Sequence, residues 1–179
     1  MPDIIVIAHN IRSTHNVGSI FRTCEGFGVT KLILTGYTPY PDLSLQTSAP
    51  ACAYIDGEVT RDDPRLPHIR EKLTNQIHKS ALGAEALVSF EYHDTLDLGT
   101  LDLADYHIVA LEQDKESVNL REYHPAEKIA LLLGEEVHGI EPEYLAQCET
   151  ILEIPMSGQK ESFNVSVAAG IALYALSVA

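Results

Sequence analysis

The sequence predicts an α/β fold, a mainly parallel sheet flanked by helices. Short apolar runs recur at residues 4–8, 31–34, 86–90, 107–111 and 129–133. They lack the polar–apolar alternation of a sheet with one wet face, so they read as strands covered on both sides. Segments of helical spacing separate them, and strands alternating with helices imply parallel pairing through crossovers.

Residues 4–8 (Ile-Ile-Val-Ile-Ala) form the first strand. No basic residue precedes them, and the run is too short for a signal peptide. Residues 16–26 read as a helix whose stripe Val17, Ile20, Phe21, Cys24, continued by Phe27, repeats every three or four residues. Residues 31–34 are the next strand and complete a βαβ unit. Residues 36–68, rich in Pro, Asp, Ser and Thr, are predicted as one long irregular loop, a length usually reserved for lids and binding loops.

A helix is expected over 66–78, a strand over 86–90, and a helix weakened by Gly99 and its Asp and Thr residues over 95–104. Residues 107–111 and 129–133 are buried strands, and Pro142 opens a helix over 142–147. Ile151, Leu152 and Ile154 make the closing strand, which Pro155 ends because it has no N–H for the ladder. The last helix, reaching residue 179, is apolar on nearly every face through Val165, Val167, Ala168, Ile171, Leu173, Tyr174, Leu176 and Val178. Such a helix must be covered all round, and in a chain this size the expected cover is a second subunit as well as the core.

Length and composition bound the function. At 179 residues the chain reads as one domain, 1–179, able to bury roughly 70% of its unfolded surface. No run of about 18 uninterrupted apolar residues is present, and Cys24, Cys52 and Cys148 are odd in number and without a CxxC pair. A soluble protein of the reduced cytoplasm is expected, with Cys24 and Cys148 as core residues. The formal net charge of −14 argues against a general polyanion binder. Residues 1–37, however, carry Arg12, Arg22 and Lys31 against Asp3 and Glu25, so this segment is net positive and is where an anion is expected to be met.

The chain has no GxGxxG after the first strand, no P-loop and no GxSxG elbow. His9 with His15, or Glu135 with His138, would lack a third ligand at usable spacing, so no metal is expected.

Ligands of a parallel sheet bind where its strands end, and four loops there are chemically loaded. In 9–22, Asn16 is placed to cap the helix, Gly18 to permit close backbone approach, and Arg22 to hold a phosphate beside the helix start. The plain alternative is that Arg22 is a surface residue paired with Glu25. In 132–141, Gly134 would let a ligand touch the backbone and Glu136 would supply charge, with Glu135 a solvated turn residue. Leu111 leads the third loop. In the fourth, Gly158 permits a turn and Ser162, Asn164 and Ser166 gather where the loop becomes the last helix. The plain alternative there is that Ser162 is a helix cap and Asn164 a first-turn residue.

In this order, Asn16-x-Gly-x-x-x-Arg22 with Phe27-Gly28, then Gly134-x-Glu136-x-x-Gly139, then Ile154-Pro-Met with Ser162-Phe-Asn164-Val-Ser166 resemble the three motifs of the SpoU (TrmH) family of RNA ribose methyltransferases, in the SPOUT superfamily. The similarity spans essentially the whole chain. It implies a deep trefoil knot over about 107–179, an exception to the rule against knots, a homodimer, and transfer of a methyl group from S-adenosylmethionine to a ribose 2′-hydroxyl of tRNA or rRNA.

By the same resemblance, Leu111, Gly134, Ile154, Met156 and Ser162 would bind the cofactor. Arg22, Asn16, Glu136, Ser162 and Asn164 would form the catalytic set, with Arg12 and Arg22 meeting the RNA. The family's arginine is usually described as the general base, but a guanidinium donates rather than accepts. Arg22 is therefore expected to fix the phosphate and stabilise the forming alkoxide, with cofactor and Arg22 contributed by different subunits.

The chain starts at the catalytic sheet, whereas many family members carry an N-terminal RNA-binding domain. Recognition is then expected from the dimer surface, the 36–68 loop or an auxiliary RNA-binding partner. Two other readings are a non-catalytic cofactor- and RNA-binding partner, which the intact Asn16, Arg22 and Asn164 disfavour, and a knotted methyltransferase acting on an RNA base.

Overall fold

A computed structural model describes residues 2–46 and 51–178. Among the described residues a single sheet has nine strands in the order β4-β3-β5-β2-β1-β8-β6-β9-β7. The strands are β1 Asp3–His9, β2 Lys31–Thr35, β3 Cys52–Ile55, β4 Glu58–Thr60, β5 Phe90–His93, β6 His107–Leu111, β7 Val118–Asn119, β8 Lys128–Leu133 and β9 Thr150–Glu153. Every pairing is parallel except β3 with β4. The expected α/β class and mainly parallel sheet are thus observed.

β1 lies at the centre, with β2 on one side and β8 on the other. Its residues Ile4 to Ala8 are nearly solvent-free because alternate side chains enter two separate cores. Ile4, Val6 and Ala8 join Phe21, Leu32 and Leu131 beneath the helices α1 Thr14–Gly26, α2 Pro67–Ala81 and α5 Val165–Val178. Ile5 and Ile7 join Ile33, Ala130, Leu132 and Ile140 on the opposite face.

That second face corrects the helix expected over 95–104. Leu96, Leu98, Leu101 and Leu103 are all buried there from an irregular segment. Their two-and-three spacing suits a chain laid flat on the sheet, and Asp97 turns it by accepting hydrogen bonds from Gly99 and Thr100.

Three further boundaries differ from expectation. Residues 36–68 contain the β3–β4 hairpin, and within this stretch 47–50 lie outside the described residues. The hairpin turns at Asp56-Gly57, both at positive φ, and an Asp-Gly pair is itself a strong hairpin signal. The strand expected at 86–90 begins only at Phe90, because Leu82 and Gly83, both at positive φ, end α2 and a short helix, α3 Ala84–Leu87, follows. The helix α4 is Pro142–Leu145, close to its expected place.

α1 starts earlier than residue 16. Ser13 is its cap, accepting from the Asn16 backbone, which corrects the expectation that Asn16 caps. Gly18 serves the packing of α1 on α2: a Cβ there would run into the Ile77 carbonyl and the Ser80 hydroxyl.

α5 buries Ala169, Ala172, Leu173 and Leu176 against the core and lays Gly170 beside Thr23 of α1. Its other face is bare, with Val167 50%, Tyr174 60% and Val178 64% exposed. Within one chain the helix is therefore covered on one side only. Among the described residues no helix is long and apolar enough to cross a membrane.

Candidate active site at the strand carboxyl ends

β6, β8 and β9 run parallel and end together. The three loops leaving their ends enclose a cavity of about 470 Å³ lined from Leu111–Gln113, Leu133–Gly139, Leu152–Ile154 and the start of α5. Its volume lies in the range of small-molecule sites.

The loop after β8 folds back on itself. Glu135 and Gly139 exchange backbone hydrogen bonds of 3.1 and 3.0 Å, and Gly134 lies under the crossing. A Cβ at Gly134 would stand 2.5 Å from Ile140 Cγ1 and 2.6 Å from the Gly139 backbone. Gly134 therefore makes room for its own loop, a different reason for glycine than contact with a ligand.

Glu112 pins the far end of this loop by accepting from Ile140 N at 3.0 Å while also accepting from Gln113 N at 2.8 Å. The Gln113 amide reaches across to donate to the Glu161 carbonyl and closes the cavity's side. Both residues belong to the third loop expected from the sequence, where neither has a role of its own; the structure supplies those roles.

At the cavity mouth, the first turn of α1, the loop after β8 and the segment entering α5, far apart in sequence, are joined by side chains. Asn16 Nδ2 donates to Glu136 Oε1 at 3.0 Å, and Asn164 Nδ2 donates to Asn16 Oδ1 at 3.2 Å. Asn164 Oδ1 in turn accepts from the Ser166 backbone at 3.0 Å and its hydroxyl at 2.7 Å. Asn164 thus occupies the capping position before α5, and Ser162 lies in the exposed loop ahead of it, reversing the plain alternative for these two residues. Arg12 N adds a long contact to Glu136 Oε2 at 3.4 Å.

The structure therefore brings Leu111, Gly134, Glu136, Ile154, Ser162 and Asn164 around one cavity, with Asn16 bonded to its rim. Met156 is half-buried and outside the lining. Arg22 is exposed on α1, also outside the lining and, among the described residues, without an ion pair to Glu25. It lies in the third turn of α1, well past the helix N-terminus.

Glu135 is more than a solvated turn residue. His138 Nδ1 lies 2.6 Å from its Oε2, and this hydrogen bond holds its carboxyl below the usual range. His9 is buried, with Nδ1 2.7 Å from Thr35 Oγ1 and Nε2 accepting from Asn10 Nδ2 at 2.9 Å. Burial lowers its pKa despite the nearby Glu141. Cys24 and Cys148 are raised by burial, Cys148 to about 11. Neither is a nucleophile at neutral pH. Among the described residues no cluster of three His, Cys, Asp or Glu side chains is disposed to hold a metal.

The cavity wall is acidic, carrying Glu112, Glu135, Glu136 and Glu153. A cationic small molecule fits such a wall, whereas a phosphate does not.

The sequence profile of the SpoU rRNA Methylase family matches residues 3–62 and 65–174. The tRNA (guanosine(18)-2′-O)-methyltransferase of Aquifex aeolicus is 33% identical over 172 residues, which cover 96% of this chain and 67% of that protein. The 23S rRNA (guanosine-2′-O-)-methyltransferase RlmB of Acinetobacter baylyi is 39% identical over 175 residues, 96% of this chain and 58% of that one. The chain thus spans about two thirds of the first of these relatives and under two thirds of the second.

Among solved structures, the AdoMet-bound rRNA methyltransferase from Sinorhizobium meliloti aligns with a TM-score of 0.73 at 22% identity, over 97% of this chain and 55% of that one. The A. aeolicus TrmH/SpoU tRNA modifying enzyme aligns with a TM-score of 0.66 at 29% identity, over 99% and 75%.

Proposed function

The chain belongs to the SpoU rRNA methylase family, and from that premise we propose that it transfers a methyl group from S-adenosylmethionine to a ribose 2′-hydroxyl of tRNA or rRNA. The observation that carries the proposal is the hydrogen-bonded line Glu136–Asn16–Asn164, which ties the first turn of α1, the loop after β8 and the entry to α5 together at the mouth of one acid-walled cavity. When bound, the cofactor supplies an electrophilic methyl on a sulfonium. The chain's own residues do the rest. Backbone groups at Leu111, Gly134 and Ile154 and the loop at Ser162 cradle it, and the four glutamates suit its positive charge.

A ribose hydroxyl is a poor nucleophile, so it must be held in line with the methyl at about 3 Å and relieved of its proton. Asn16 is placed to orient the ribose, since Glu136 and Asn164 lock its amide from both ends. Arg22 fixes the neighbouring phosphate and stabilises the alkoxide by donating, and the proton leaves through phosphate or water. Because Arg22 lies outside the cavity of its own chain, a second copy supplies it, and the bare face of α5 is the surface on which the copies meet. In this reading the trefoil knot of the family lies in the C-terminal part of the chain, from about residue 107 onward. We place the protein in the cytoplasm, where the RNA is.

The test is transfer of labelled methyl groups to RNA from cells lacking this protein, with Arg22→Ala as control, followed by nuclease digestion. A 2′-O-methyl nucleoside supports the proposal. A methylated base in its place would overturn it in favour of a base methyltransferase, and cofactor binding without transfer would leave a non-catalytic partner of RNA.

A further inference from the structure

A second cavity, of about 570 Å³, lies between the N-terminal end of α1, the turn after β2 and α2. Its electrostatics invert those of the first. In a chain of net charge −14, the ionisable groups on its wall are Arg12, Arg65 and three tyrosines, with no carboxylate among them. The Arg65 guanidinium is spent on structure. It is bonded to Asp63 at 2.9 and 2.5 Å, to the Tyr40 carbonyl at 2.7 Å, and lies 3.5 Å over the Tyr40 ring. Tyr40 stacks on Tyr92 at 4.2 Å, so the floor is rigid. Arg12 is the charge left available, its side chain 62% exposed and only loosely paired with Glu135 at 3.9 Å.

Tyr37 stands at the rim. Its backbone is held by Asn10 Oδ1, which accepts from Tyr37 N at 3.2 Å, and by the following Thr38, whose hydroxyl donates to the Thr35 carbonyl at 2.8 Å. The residue is nonetheless 52% exposed. An aromatic ring presented on an anchored turn is an available stacking platform. Across from it, Gln76 of α2 is half-buried with its amide free of hydrogen-bond partners among the described residues. Gln carries both a donor and an acceptor, the pair that reads a base edge.

The two cavities share a wall. Arg12, lining the second, contacts Glu135 and Glu136, lining the first, and the Tyr37 hydroxyl is hydrogen-bonded to Glu135. We propose that the second cavity seats an unpaired RNA nucleobase adjoining the methylated nucleotide, stacked on Tyr37, read at its edge by Gln76, with Arg12 on the intervening phosphate. The site rests on the ribose-methylation reading. It gives an acidic protein a local means of holding RNA, because stacking and one phosphate contact do not require a basic surface.

The test uses a single-stranded RNA hexamer carrying one 2-aminopurine, titrated with the full chain at low salt. Stacking on Tyr37 quenches the 2-aminopurine. Tyr37→Ala is expected to abolish the quench and weaken binding roughly tenfold, and Tyr37→Phe to keep both. Gln76→Ala is expected to keep the quench while levelling the preferences among hexamers of different base. Absence of quenching in the wild type, or wild-type affinity in Tyr37→Ala, overturns the proposal. Cofactor binding and methyl transfer by the wild type are measured in parallel. Transfer that proceeds with no dependence of hexamer binding on Tyr37 sinks the base site alone. Failure of cofactor binding sinks the methyl-transfer reading, while the titration still decides the base site.

Discussion

Asn16→Asp isolates the link on which the candidate site depends. In the native pair an amide N–H faces the Glu136 carboxylate at 3.0 Å. The substitution keeps the size and keeps an acceptor for Asn164, but turns that contact into two carboxylates. At 3 Å two unit charges repel by about 1.4 kcal/mol in bulk water and about 5.5 kcal/mol at an effective dielectric of 20. Asn16 is 8% exposed and Glu136 is intermediate, so a cost of about 2–4 kcal/mol is expected near neutral pH.

The sign with pH is fixed. Repulsion favours the protonated pair, so the penalty is largest at pH 7–8 and shrinks as the pH falls and the two oxygens share a proton. Urea unfolding of wild type and Asn16→Asp from pH 4.5 to 8 measures this difference directly. Adding Glu136→Gln restores a donor from the opposite side and is expected to recover most of the loss at pH 8. A pH-independent penalty, or no recovery in the double variant, would refute the hydrogen-bonded line as the element holding the loops together.

Other outcomes follow from single contacts. Gly134→Ala forces the Gly139–Ile140 crossing outward, so stability should fall by about 1–3 kcal/mol and calorimetry should show weakened S-adenosylmethionine binding. Burial raises the Asp63 carboxyl, but its hydrogen bonds from Arg65 lower it further, to a net value below its usual 3.8. A depressed carboxylate stabilises the fold above its unfolded value and loses that effect as pH drops through the folded one, so Asp63→Asn should destabilise at neutral pH, and the gap should begin to close only as the pH falls below about 3.8. Mixing Arg22→Ala with Asn16→Ala chains should regain part of the methyl transfer that each lacks alone, since one mixed pair joins an intact cavity to an intact arginine. Val167→Glu with Tyr174→Glu, on the bare face of α5, should shift sedimentation to the monomer, and an unchanged profile would remove α5 as the meeting surface.

The sequence by itself determined the class of fold and the identity of the four loops that carry the chemistry. Strands buried on both faces must be apolar at every position, so β1, β2, β6 and β8 are plain in the residue order. Glycine, asparagine and carboxylate positions after strands carry local chemistry, so Asn16, Gly134, Glu136 and Asn164 were legible too. Only the tertiary structure decided how they act. That Glu136, Asn16 and Asn164 form one line depends on pairings across 120 and 148 positions, which no local pattern encodes.

The same holds where expectation and structure part. Leu96, Leu98, Leu101 and Leu103 seal a face of the sheet as a flat irregular strip, because tertiary burial outweighed helix propensity. Gly134 is glycine because a loop crosses it, and Arg22 faces solvent because the α1 stripe turns Val17, Phe21 and Cys24 inward. Sequence spacing reports which residues share a face of one element. Which faces of different elements meet is set by packing, and that is where the site is made.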